Sequence, residues 1–204
     1  MKTLAFDTCL DKTYITLANS GKIIQSETIL SDGENYHSAY LISTIVKVLK
    51  NAEMTPSDID MIITDIGPGS FTGIRACTTV ARVLAQQLNI KAVGVSSLEI
   101  LSKVLGGDDL VVLDARKNKA YVYDGKILGA VELEEVDKIV KDRTVIVDDS
   151  MFERISEKAA KVFSYQKENY PLGEILTKIG ITKEETNWQK LKPLYIQPPP
   201  VFGK

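Results

Sequence analysis

Histidine occurs once, at His37, and cysteine twice, at Cys9 and Cys77. A metal site built on two or three histidines is excluded by that count. Two cysteines can form one bridge, but they make no disulfide scaffold, which fits a reduced, cytoplasmic protein. No stretch approaches the ~18 consecutive apolar residues of a membrane span. Positive charge is not in excess: 25 Lys and Arg stand against 27 Asp and Glu, a net charge of −2. The surface as a whole therefore lacks the field that nucleic-acid phosphates require, which leaves only a local basic patch open. The chain meets an acidic residue at Asp7, too early for a signal peptide, so no leader is expected. What remains is a globular composition, 44% hydrophobic and 25% charged over 204 residues, enough for one large domain or two small ones.

Short apolar runs and turn residues give the order of elements. Leu4–Phe6, Tyr14–Leu17 and Lys22–Ile29 read as a three-stranded meander. A helix is expected over 36–52, a Pro56 turn after Thr55, a buried strand at 61–64, a glycine loop, a helix to Leu88, a strand at 92–95 and a helix from Ser96. Gly106–Asp109 is the best boundary. Beyond it Leu110–Leu113 ends at Asp114, as the first strand ends at Asp7. Asp124-Gly125 between 120–123 and 126–128 is a strong two-residue hairpin signal. Helix 132–141, strand 144–147, helix 151–160, a last strand at 162–164 and a helix from Pro171 ending at Gly180 follow. The triple proline at 198–200 reads as stiff and extended. Three strands, helix, strand, helix, strand, twice over, predicts an α/β protein of two mixed-sheet lobes, 1–105 and 106–204. The duplicated ribonuclease-H-like (ASKHA-type) fold of actin and sugar kinases has that order.

The most distinctive segment is Gly67-Pro68-Gly69-Ser70-Phe71-Thr72-Gly73, between strand and helix. It reads either as an anion cradle at a helix start or as a tight structural turn packed under Phe71. Its glycine spacing fits neither the dinucleotide fingerprint nor the Walker loop, and Ser70 lacks the flanking glycines of a nucleophile elbow. The turns after Asp7 and Asp114 contain no glycine, whereas an actin-like ATPase wraps phosphates there. His37 has no helical histidine partner, Cys9 and Cys77 read as small buried hydrophobes, and no catalytic set, metal set or cofactor site is legible.

Two helices carry surplus apolar surface. Projected at ~100° per residue, Leu41, Ile45, Val48, Ile42 and Val46 cover about half of the first helix, and Ile74, Cys77, Ala81, Leu84, Ala85 and Leu88 belong to a slightly wider arc of the second. The surplus is buried either by the rest of the chain or by a partner. The partner reading takes His37, Leu41, Ile45, Val48, Ile74, Cys77, Ala81, Leu84, Ala85 and Leu88 as the interface.

Gly67 to Arg75, Val95-Ser96-Ser97-Leu98-Glu99, Asp7-Thr8 and His37-Ser38 resemble the bacterial TsaB (YeaZ) family. Asp114-Ala115-Arg116 with Tyr121 or Tyr123, and Pro193-Leu194-Tyr195-Ile196, resemble its second half. The chain departs from the pattern at Cys9 (usually Ser), Ser43 (Pro), Lys117 (Arg) and Gln197 (Arg). The resemblance implies a cytoplasmic, non-catalytic scaffold in the making of tRNA threonylcarbamoyladenosine. It implies pairing with the metal-binding transferase TsaD through the first lobe, a ternary complex with the ATPase TsaE, and a homodimer when alone. The tRNA is touched at most indirectly, and no membrane or cofactor is implied. The rival readings are an actin-fold nucleotide-binding enzyme and a glycoprotease-like peptidase.

Overall fold

The structure, a computed structural model, describes residues 1–30 and 37–197. Two compact units are present. The first comprises Met1–Ser97 with Leu172–Leu194, the second Leu98–Pro171 with Tyr195 and the residues after it.

The first unit holds β1 (Lys2–Asp7), β2 (Thr13–Asn19), β3 (Lys22–Ile29), β4 (Met61–Asp65) and β5 (Lys91–Val95). They form one sheet in the order β3-β2-β1-β4-β5. The meander pairs antiparallel, with Leu4 opposite Leu17, while β1, β4 and β5 run parallel. The central strands β1 and β4 are buried along almost their whole length because both faces of the sheet are covered. On one face Leu4, Phe6, Ile15, Leu17 and Ile62 pack under α1 (Leu41–Asn51) and α2 (Phe71–Leu88). A 3-10 turn, His37–Tyr40, leads into α1. The side chain of His37 and the helix start expected at 36 lie outside the described residues, as does the triple proline. The turn at Pro56 is closed as expected, by the Thr55 N–H donating to Asp58 Oδ2 at 2.9 Å.

The short helix α3 (Ser97–Leu101) leads into the second unit, which repeats the arrangement with β6 (Leu110–Arg116), β7 (Lys119–Tyr123), β8 (Ile127–Glu132), β9 (Thr144–Val147) and β10 (Lys161–Ser164). The sheet order β10-β9-β6-β7-β8 is the first sheet's order with β6 in the place of β1. Gly125, at φ +63°, closes the expected hairpin. Helices α4 (Leu133–Ile139) and α5 (Asp149–Ser156) bury Val136, Met151 and Ile155 against Val112, Val122, Val145 and Val147. The doubled strand order is the two-lobed ribonuclease-H-like plan expected from the element pattern.

The division at 105/106 differs from these units in one large respect. Helix α6 (Leu172–Gly180) packs on the first sheet, on the face opposite α1 and α2. Two glycines seven residues apart let it approach. A Cβ on Gly173 would lie 3.2 Å from the Tyr14 Cβ, and one on Gly180 would lie 2.8 Å from Ile63 Cδ1. Gly180 was expected as a helix terminator; it is also a close contact. Chain continuity suggested the second lobe for this segment, but Leu172 and Leu176 find their apolar partner on the first sheet.

The surplus apolar arcs of α1 and α2 are accounted for differently than a partner face requires. Leu41, Ile45, Val48, Ile74, Cys77, Ala81 and Ala85 all lie in the first unit's own core, with Leu84 packed against it and Leu88 half-buried. The two helices share one sheet face, so each arc is covered by the sheet and by neighbouring core residues. The apolar side chains left outside are Ile42, Val46 and Val83, at 64%, 59% and 50% exposure. Ala81 is fully buried, and Ala81→Arg therefore places an unpaired charge in the core at a cost of about 3–5 kcal/mol. The variant is expected to lose cooperative folding in a denaturant titration followed by circular dichroism; a folded variant with wild-type midpoint would return Ala81 to the surface.

Candidate functional site

The site is built where the glycine loop meets the C-terminal end of β1. Asp7 ends β1 and Asp65 ends β4, the neighbouring parallel strand. Each carboxylate closes a small turn on the chain that follows it: the Cys9 N–H donates to Asp7 Oδ1 at 2.5 Å, and the Gly67 N–H donates to Asp65 Oδ1 at 2.6 Å. In the second unit the Arg116 N–H donates to Asp114 Oδ1 at 2.7 Å, the same device at the equivalent strand end. Asp7 is buried whereas Asp114 is exposed. The turn after Asp114 has no glycine, yet Arg116, Lys117 and Asn118 stand at φ 60°, 51° and 61°.

The three glycines of the loop are explained by packing. A Cβ on Gly73 would overlap the Thr8 carbonyl oxygen and lie 2.7 Å from the Thr8 carbonyl carbon. One on Gly69 would overlap the Cys9 carbonyl and stand 3.2 Å from the Cys9 Cβ. Gly67, at φ +98°, would press on Ile74 at 2.7 Å. The backbone donors that an anion would need are largely committed. The Gly67 N–H goes to Asp65, the Ser70 N–H to the Cys9 carbonyl at 2.8 Å, and the Gly73 N–H to Ser70 Oγ at 3.3 Å. Between the two readings of the loop, this geometry favours the structural turn; Phe71 begins α2 and is itself half-buried.

Beneath the loop lies a cluster that no sequence spacing announced. Cys77, on the buried side of α2, receives the Thr8 N–H at 3.0 Å, and its sulphur lies 3.1 Å from Thr8 Oγ1. Thr8 Oγ1 donates to the Gly73 carbonyl at 2.8 Å, and the Cys77 thiol has the Phe6 carbonyl as an acceptor at 4.0 Å. Cys9 Sγ donates to the Asp65 carbonyl at 3.6 Å. Ser97 Oγ lies 2.8 and 2.7 Å from the two carboxylate oxygens of Asp65. Burial pushes the Asp7 carboxyl well above the usual carboxylate range, and the charges of Asp65 and Cys77 add to it. Burial also raises Asp65, to about 6, against the hydrogen bonds from Gly67 and Ser97 that lower it. Burial, followed by its contact with Cys77, pushes the Cys9 thiol up, so neither an ordinary ionised aspartate pair nor an exposed reactive thiolate is present. The two cysteines were read as small buried hydrophobes; they are buried, but on polar partners. The pairing depends on residues 68 positions apart brought together by glycine contacts, a tertiary fact with no local signature.

Two lobes of one strand order, with a glycine-buttressed turn at the end of the first strand, define a duplicated ribonuclease-H-like protein. A family model described as tRNA N6-adenosine threonylcarbamoyltransferase, TsaD, matches residues 26–181. The tRNA threonylcarbamoyladenosine biosynthesis protein TsaB of Bacillus subtilis is 30% identical over 145 residues, 67% of this chain and 60% of that protein. The protein of the same name from Buchnera aphidicola of Schizaphis graminum is 27% identical over 187 residues, 82% of this chain and 87% of its own. An uncharacterized Mycobacterium tuberculosis protein is 31% identical over 59% of this chain and 60% of its own length. The chain thus spans about 60% of the length of the mycobacterial and Bacillus relatives it matches. The structure of YeaZ from Pseudomonas aeruginosa superposes with a TM-score of 0.74 at 22% identity, covering 95% of this chain and 99% of that one. The chain belongs to the TsaB (YeaZ) family.

The contact of Gly73 with backbone leaves nothing flexible to yield. Gly73→Ala is expected to destabilise the protein by at least about 2 kcal/mol, the scale of core overpacking. At this chain length that lowers the melting temperature by roughly 4–8 °C. Gly107→Ala, whose Cβ meets nothing closer than 3.6 Å, should melt with the wild type. Equal melting of both variants would refute the buttress.

Proposed function

We propose that this chain serves the synthesis of threonylcarbamoyladenosine in tRNA as a non-catalytic scaffold that pairs with a TsaD-type transferase. The observation that carries the reading is the family match over residues 26–181, together with relatives named for that biosynthesis. The scaffold role draws on the single histidine: a transferase metal site built on a histidine pair has no counterpart in a chain with one. It draws also on the missing phosphate-binding glycines after Asp7 and Asp114.

The pairing surface is assigned to the outward sides of α1 and α2 in the first unit. Ile42 and Val46 are one helical turn apart and so share a side of α1, and Val83 stands exposed on α2 beside exposed Thr79. Exposed apolar side chains on helices that cover one face of the sheet are candidates for an interaction site. This replaces the inward residues of the expected interface by their outward neighbours. A TsaE-type ATPase joins the pair, and the chain alone self-associates through the same helices. The tRNA is met through the transferase, in keeping with a net charge of −2. Among the described residues no helix is long and apolar enough to cross a membrane, and the work is placed in the cytoplasm.

Ile42→Asp combined with Val46→Asp tests the surface. Both side chains are exposed in the free chain, so the melting temperature should stay within a few degrees of wild type. Burying a carboxylate without a partner in the complex costs about 2–5 kcal/mol, and each ~1.4 kcal/mol is tenfold in affinity. Co-purification with untagged transferase should therefore fall by at least tenfold. A folded variant that pairs like the wild type removes this face from the contact. A wild-type chain that fails to pair at all removes the scaffold reading.

A further inference from the structure

The buried polar cluster under the glycine loop crowds two carboxyls and two thiols into one space closed to water. Asp7 is 2% exposed, its Oδ2 accepts no N–H or hydroxyl bond among the described residues, and its carboxyl shares a hydrogen bond with the equally buried carboxyl of Asp65. Carboxyls shut away from water with only each other to bond are costly to ionise, because the lost hydration is not replaced. One carboxylate oxygen of Asp7 and the sulphurs of Cys9 and Cys77 all lie within 4.8 Å of one another, and all three residues are buried.

We infer that Asp7, Cys9 and Cys77 form a binding site for one thiophilic divalent cation of the zinc type. The donor set selects the class of ion. Two sulphurs and one oxygen suit a borderline-soft d10 ion, whereas magnesium and calcium call for oxygen alone. Donors around a tetrahedral zinc at about 2.3 Å for sulphur and about 2.0 Å for oxygen stand roughly 3.5 Å apart. From separations of up to 4.8 Å the three atoms therefore need to close by at most about 1.3 Å, within reach of small side-chain rotations. The ion displaces the protons of the two thiols and of the Asp7 carboxyl, which leave to solvent, and its two positive charges neutralise two of the three negative charges left behind.

The hydrogen bonds behind the donors are already in place. The Cys9 N–H holds Asp7 Oδ1 and fixes the orientation of the carboxyl. The Thr8 N–H points at Cys77 Sγ at 3.0 Å, the orientation that stabilises a metal-bound thiolate. The histidine count excludes histidine-built sites only, and it does not bear on this one. The inference does not depend on the scaffold reading.

The test uses the full chain, reduced and freed of metal by a chelator, and titrated with cobalt(II). One equivalent should produce thiolate-to-cobalt charge-transfer absorption and the intense visible bands of a four-coordinate ion. Cys77→Ala should abolish the charge transfer, and Asp7→Asn should weaken binding by at least tenfold, each in a variant shown by circular dichroism to be folded. A second measurement needs no variant. Wild-type protein loaded with zinc and titrated with an organomercurial should release one zinc as two thiols are consumed. Absence of any charge-transfer band in the wild type overturns the inference. So does a band that persists in a folded Cys9→Ser, Cys77→Ala double variant, or zinc release unrelated to thiol loss.

Discussion

The structure of the first unit hangs on one close approach, that of Gly73 to the backbone of Thr8. Where most helices keep a side chain's width from the strand they cover, α2 here begins in contact with the carbonyl of the residue that follows β1. Everything nearby is set by that distance. It brings Cys77 one turn further along α2 to the Thr8 N–H, and it lets the Ser70 N–H close on the Cys9 carbonyl. It also draws the ends of β1 and β4 beneath the loop, where Asp7 and Asp65 share a space too dry for two ordinary carboxylates. The glycines serve contact first, and the buried polar cluster follows from it.

The second unit shows what the same plan looks like without that constraint. Its sheet has the same order, and Asp114 turns its chain with the same bond to the N–H two residues on. Yet Asp114 stands in solvent, and the strand equivalent to β4 is followed by Asp148, which accepts from the Asp114 N–H at 2.7 Å and from the Met151 N–H at 3.0 Å as the cap of α5. Duplication preserved the strand ends and their turns. The first copy drives a helix start down onto them and shuts its strand-end carboxylates away from water, whereas Asp114 and Asp148 keep contact with it.

What could be read from residues alone follows the reach of each signal. Strand order and the Asp124-Gly125 hairpin were legible because alternation and turn chemistry are local. The equivalence of Asp7 and Asp114 was legible because both close apolar runs. The apolar arcs of α1 and α2 were read correctly as surplus, but a helical projection does not tell which neighbour covers an arc. Leu41 and Ala81 proved to be core, and Ile42 and Val83 proved to be surface. Cys9 and Cys77 carried no warning of each other, since the glycines that unite them act through space. Helix α6 was assigned to the lobe that precedes it in the chain; the marks of its true site, Gly173 and Gly180, acquire meaning only beside Tyr14, Thr16 and Ile63.

That return of residues 172–194 to the first sheet has a bearing on how the protein is made. A ribosome delivers the five strands of the first sheet, then the whole of the second unit, and only afterwards the helix that covers the first sheet's open face. Through that interval Ile63 lacks the helix whose Gly180 packs against it in the folded chain. The second unit, contiguous in sequence up to Pro171, has all of its sheet before the first has its lid. The half of the molecule that begins the chain is thus the half completed last, and its exposed sheet face is the natural client of a holding chaperone until α6 arrives.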